Sequence, residues 1–259
     1  MRIKQAAVAG MFYPQQTDEL LQLVSQLLAD NPQSGAKPEA IQVPHAGLIY
    51  SGGIAARAYN RIRPYLSDYS RVVLLGPAHR VPLQGMAVMA AEQWQTPLGK
   101  IEIDTQLSQL LQQEGMVSVN NLAHAQEHCL EIQLPFLQLM RPEVKVLPVL
   151  VGQTPVGAVE SLITRVFAET QTLLLVSSDL SHFHSYEEAK QIDQATLSCI
   201  KQLSSHIQPQ QACGCYALNG LLAYAAKTGL KAELLGYCNS GDTAGDHQRV
   251  VGYCAYAFR

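Results

Sequence analysis

Only 15% of the 259 residues are charged, against about 25% in typical soluble domains. That scarcity excludes disordered or heavily solvated stretches. No block of like charge occurs, and 18 Lys and Arg against 21 Asp and Glu leave a net charge of −3. The basic stripe of a nucleic-acid binder is missing, as is an acidic tail. No apolar run approaches the roughly 18–20 residues that a membrane span needs. The opening segment pairs Arg2 and Lys4 with apolar residues from Ala6 onward, but it runs into Met11-Phe12-Tyr13-Pro14, not the small-residue cleavage site of a signal peptide. The six cysteines contain no CxxC pair and are too sparse for a disulfide scaffold, so a reduced, cytoplasmic setting is expected. HExxH is also absent, which removes the zincin reading.

What is present is apolar: 47% of the chain is hydrophobic, enough at this length to bury roughly 70–75% of the unfolded surface. No linker, repeat or low-complexity tract interrupts it, and residues 1–259 read as one domain. Short apolar runs at 71–76, 144–151, 172–177 and 249–258 have the character of buried strands. Helical spacing of apolar residues marks 17–29, 104–114 (stopped at Gly115), 127–139, 156–169, 186–203 and 210–228. Strands and helices in alternation predict a layered α/β fold with helices on both faces of one sheet. A hairpin of 86–91 with 100–103 would make that sheet mixed.

Residues competent in acid–base and metal chemistry gather just after the predicted strands, where open α/β sheets place their sites. The clusters are Pro44-His45-Ala46-Gly47 with Tyr50-Ser51-Gly52, Gly76-Pro77-Ala78-His79-Arg80, Ser177-Ser178-Asp179-Leu180-Ser181-His182, and the segment Asn239–His247. If the strands are neighbours, the imidazoles of His45, His79 and His182 converge. Glu127, His128 and Glu131 are read on one helix, with His128 placed to face a cleft as a substrate contact. Two imidazoles and one carboxylate would leave open positions for non-haem iron, and Asp179 and Asp242 are the available acids. Zinc with the same donors and a water is chemically equivalent at this level. Cys213 and Cys215 flank Gly214 at a helix start, where small buried cysteines are common.

At these clusters the sequence resembles the Memo family. The matching segments are Ala9-Gly10-Met11-Phe12-Tyr13-Pro14, Pro44-His45-Ala46-Gly47 with Tyr50-Ser51-Gly52, Gly76-Pro77-Ala78-His79, Glu127-His128-Cys129-Leu130-Glu131 through Leu134-Pro135, Ser177-Ser178-Asp179 with His182, and Cys213-Gly214, in order over almost the whole chain. The resemblance implies a fold like that of the class III extradiol ring-cleavage dioxygenases. It also implies that His45 and His79 bind metal, and that His182 lies across the pocket for acid–base transfer. Animal members place a cysteine ligand before the final strand, where this chain has Gly241-Asp242-Thr243. Asp242 is therefore expected as the third ligand, giving a harder site that favours iron(II) over copper, with zinc as the other candidate.

The expected function is then an iron-dependent, oxidoreductase-like pocket acting on a small molecule. His45, His79 and Asp242 would hold the metal, with His182 and Asp179 as catalytic groups and Tyr50, Arg80 and His128 contacting substrate. Resemblance alone adds radical-SAM-system proteins as partners. The competing expectation is a non-catalytic cleft that binds a peptide or metal, since a fold does not dictate a function.

Overall fold

The apolar runs become the centre of a sheet, and their lengths set its width. In the computed structural model, which describes residues 2–243 and 245–259, the elements are β1 (Ile3–Lys4), α1 (Thr17–Asp30), β2 (Ala40–Val43), α2 (Leu48–Ile62), β3 (Arg71–Pro77), β4 (Met86–Val88), β5 (Gln93–Thr96), β6 (Gly99–Glu102), α3 (Thr105–Gln113) and β7 (Ser118–Val119). They continue as α4 (Asn121–Ala125), α5 (Leu134–Met140), β8 (Lys145–Val151), α6 (Val156–Phe167), β9 (Thr172–Ser177), β10 (His182–His184), α7 (Tyr186–Lys201), α8 (Cys215–Thr228), β11 (Ala232–Asn239) and β12 (Val250–Phe258). Ala244, within the Asn239–His247 segment, lies outside the described residues, as does Met1.

The main sheet has the order β10-β12-β2-β9-β3-β8-β4-β7, with β11 also paired to β12. Strands β2, β9, β3 and β8 are mutually parallel. The pairings of β12 with β2 and of β4 with β8 are antiparallel, so the sheet is mixed, as expected. Because side chains alternate along a strand, Val72 and Leu74 enter one core with α1, α2 and α5, whereas Val73 and Leu75 enter a second with α3, α6 and α8. Both faces of the parallel strands are thus covered, which explains why they read as continuous apolar runs instead of alternating ones.

Three expectations about elements are corrected. Met86–Val88 does not form a hairpin with 100–103. It pairs with β8 and β7, while β6 turns back onto β5 in a separate small sheet with β1. The segment 127–139 is not one helix: residues 127–128 are irregular, 129–130 form a turn, Glu131–Gln133 is a short 3-10 turn, and α5 starts only at Leu134. Pro135 sits in the first turn of α5, where its missing N–H costs nothing, and it disfavours helix in what precedes it. Finally, α8 begins at Cys215, five residues after the expected start, and ends at Gly229 in the left-handed conformation (φ +80°), a standard helix stop.

Candidate metal centre

Strands β2, β9 and β3 lie side by side in that order, so the chain leaving their C-terminal ends converges in space. His45 follows β2 by two residues, His79 follows β3 by two, and Ser177 closes β9. The turn before α5 lays His128 over the same point. The ring centroids are 5.1 Å apart for His45 and His79, 5.4 Å for His45 and His128, and 4.7 Å for His79 and His128. One ring nitrogen of each lies within 4.8 Å of the other two.

Two of the rings are locked by their far nitrogens. His45 Nδ1 lies 2.9 Å from Ser177 Oγ, whose single proton goes to the Cys129 carbonyl at 2.7 Å and which also accepts from Gln133 Nε2 at 3.1 Å. The hydroxyl therefore has only acceptor capacity left for the imidazole. His45 must donate from Nδ1, leaving Nε2 as the ring's acceptor nitrogen. His79 Nδ1 lies 2.8 Å from Glu127 Oε1, which fixes the same tautomer. Holding the outer nitrogen on an acceptor is how proteins aim an imidazole at a metal. Burial, reinforced by His79 and His128, pushes the pKa of His45 well below the usual histidine value, so the ring stays neutral and able to ligate.

Glu127 organises the turn as well as the ring. Its carboxylate accepts from the backbone N–H groups of His79 (2.5 Å), His128 (2.9 Å) and Cys129 (3.2 Å). Burial alone would raise its pKa, but the His128 and His79 imidazoles outweigh this and hold it well below the carboxylate range. The turn packs so tightly on β3 that a Cβ at Gly76 would meet Leu130 Cδ2 at 2.7 Å and Cys129 Sγ at 2.9 Å. A side chain there would have to displace Leu130 and Cys129. On the other side, a Cβ at Gly214 would lie 2.7 Å from Ser178 Cβ, and this closeness brings Cys213 Sγ to 3.2 Å from His45 Nε2. Burial raises the Cys213 thiol's pKa, so it stays protonated and donates to that nitrogen.

A cavity of about 460 Å³ opens beside the His128 ring, bordered also by His182, Asp179, Tyr50, Phe12, Asp246 and Arg249. His182 opens β10. Asp179 is buried, and Oδ1 accepts the His45 backbone N–H at 2.6 Å. Burial pushes its pKa up to about 6 against the donors around it. Tyr50 lines this wall from the first turn of α2.

Two expected site residues fall elsewhere. Asp242 is not brought to the histidines. Its Oδ2 accepts from Asn239 N at 2.9 Å to close the 3-10 turn Ser240–Asp242, and its Oδ1 accepts from Tyr186 Oη at 2.6 Å, so both oxygens are engaged. Arg80 is exposed and does not border the cavity. The third converging imidazole is His128, expected only as a substrate contact. Glu127, Ser177 and Arg249 carry roles the sequence reading did not assign. Ser177 and Glu127 lay within segments already singled out, whereas Arg249 had no signal at all.

The family model for Memo-like proteins matches residues 4–257. The chain belongs to the Memo family. A "MEMO1 family protein" of Aquifex aeolicus is 36% identical over all of both chains, and one of Methanosarcina acetivorans is 34% identical over 98% of each. Among solved structures, the uncharacterized protein JW3007 of Escherichia coli K12 aligns with a TM-score of 0.56 at 13% identity, covering 85% of this Memo-family chain and 99% of its own. It shares the fold. No helix among the described residues is long and apolar enough to cross a membrane.

Proposed function

We propose that this Memo-family protein binds one first-row transition-metal ion through His45, His79 and His128, and uses the adjoining cavity for oxidoreductase chemistry on a small molecule. The observation that carries this reading is the convergence of three imidazoles, two with their outer nitrogens held by Glu127 and Ser177. A donor set of neutral imidazoles suits iron(II), zinc or copper(II). With Asp242 engaged elsewhere, the preference for iron no longer rests on a carboxylate ligand. It rests on the oxidoreductase reading, which requires a redox-active ion, and iron(II) is the ion we assign. His128 Nδ1 lies 3.1 Å from Glu127 Oε1, so the same carboxylate faces this ring as well.

Iron(II) held there supplies Lewis acidity and one-electron chemistry toward a bound oxygen donor. The residues do the rest. His182, on the cavity wall, takes or returns a proton at a substrate hydroxyl. Asp179 clamps the His45 loop and so keeps the ligand in place, and Tyr50 and Phe12 shape the space. The test is anaerobic loading with iron(II), zinc or copper(II) and measurement of bound equivalents. One equivalent is expected for the wild type, with loss in His45→Ala and in His79→Ala. Undiminished binding in both variants sinks the reading. Oxygen uptake with catechol-type substrates then separates catalysis from a binding cleft that only holds metal.

A further inference from the structure

Phe183 adopts a left-handed backbone (φ +64°) although it is bulky and 62% exposed. Such a conformation is costly for a large side chain and persists where its surroundings impose it, typically at functional sites. Here it is the extra residue of a bulge, since His182 pairs with Val251 and His184 with Val250. The bulge is pinned from below, because Asp193 Oδ1 accepts the Ser181 N–H at 3.0 Å. Burial cannot be the return on this strain. The ring instead lies under the guanidinium of Arg249, 5.0 Å from its centroid.

Arg249 is the one Lys or Arg among the described residues that border the metal cavity, and none of the ion pairs among the described residues includes it. Asp246 also borders the cavity, but it turns Oδ1 to the backbone N–H groups of Gln248 and Arg249, which ties that carboxylate to its own turn and leaves the guanidinium unpaired among the described residues. A guanidinium stacked on an aromatic face keeps its planar fork of donors free while losing little further freedom on binding. We infer that Arg249, held by Phe183, is an anion-recognition residue, and that the cavity selects substrates bearing a carboxylate or similar oxyanion together with an oxygen donor for the metal. This rests on the metal reading above for the second group only.

The test compares 3,4-dihydroxybenzoate and 3-(3,4-dihydroxyphenyl)propanoate with their neutral amides, which keep the ring and diol but lose the charge. Calorimetry is run on zinc-loaded protein, zinc being redox-inert, and the Arg249 side-chain N–H resonance is followed in metal-free protein. At least one acid is expected to bind about tenfold or more tightly than its amide and to shift that resonance. Arg249→Gln should erase the advantage and leave the amide's affinity within about twofold. Phe183→Gly accepts the left-handed backbone without the ring and should keep only part of the advantage. Equal affinities in the wild type, or an advantage that survives Arg249→Gln, overturn the inference. If neither acids nor amides bind the zinc-loaded protein but the carboxylates still shift the resonance, Arg249 keeps its role and the metal reading fails.

Discussion

Asp179 carries its carboxyl where water barely reaches, and the cost of that placement is readable in pH. Its folded-state pKa is pushed up to about 6 from the ordinary 3.8 by burial. The folded protein therefore binds this proton more tightly than the unfolded chain, and the resulting stability is complete below about pH 4 and lost as pH rises through about 6. In Asp179→Asn the amide oxygen still accepts from His45, and nothing ionises. Urea denaturation of the metal-free proteins should show the wild type losing stability relative to this variant between pH 4 and pH 7. Parallel profiles would mean that the carboxyl ionises without penalty. Cys213 makes the second prediction at this scale. Its thiol donates to the His45 nitrogen that the metal needs, so metal binding must break a hydrogen bond of about 1 kcal/mol. Cys213→Ala should tighten zinc binding by a few-fold in a competition titration. A weakened affinity would instead make Cys213 a ligand.

At the scale of elements, the turn before α5 joins the site to the N-terminal segment. Glu131, fully buried, accepts from Ala7 N, Val8 N, Tyr13 Oη and Lys4 Nζ at 2.8–3.3 Å. That anchors the segment whose Phe12 ring lies tilted against His128, with centroids 4.5 Å apart, and whose Phe12 carbonyl accepts from Leu48 N at the start of α2. Glu131→Gln leaves Lys4 buried beside a neutral partner and should cost about 3 kcal/mol in urea denaturation, with weaker metal binding. A loss under about 1 kcal/mol would show the segment to be held by packing alone. Periodicity read Glu127 and Glu131 as two residues on one face of a single helix. In fact both are buried acceptors of backbone N–H groups, one serving the metal site and the other the N-terminal segment. Hydrogen bonds from a carboxylate to distant amides leave no periodic trace, and the same blindness put Asp242 in the site when it closes its own turn. Arg249 was missed for a related reason, since its place depends on a bulge in a strand of only three residues.

The whole molecule was more legible than its site. Apolar runs ending in Gly76-Pro77 and Ser177-Ser178-Asp179 announced the buried strands β3 and β9, but β2, which delivers His45, was not among the predicted runs, and its place on the far side of β9 is what brings His45 to His79. Strand order itself was not written in any run, yet placing β9 between β2 and β3 is what sets Ser177 behind His45. The three converging histidines thus come from segments spread over 83 residues between His45 and His128, a spread that would couple metal binding there to the fold as a whole. A ligand that binds only the folded state stabilises it by about 2.7 kcal/mol at a hundred times its Kd. For a chain of this size that raises Tm by roughly 5–10 °C. Metal-loaded protein should melt higher than the same sample stripped with a chelator, and restored metal should recover the shift. His45→Ala should melt at one temperature with or without metal. If that variant gains as much as the wild type, the ion stabilises the protein from somewhere other than these three histidines.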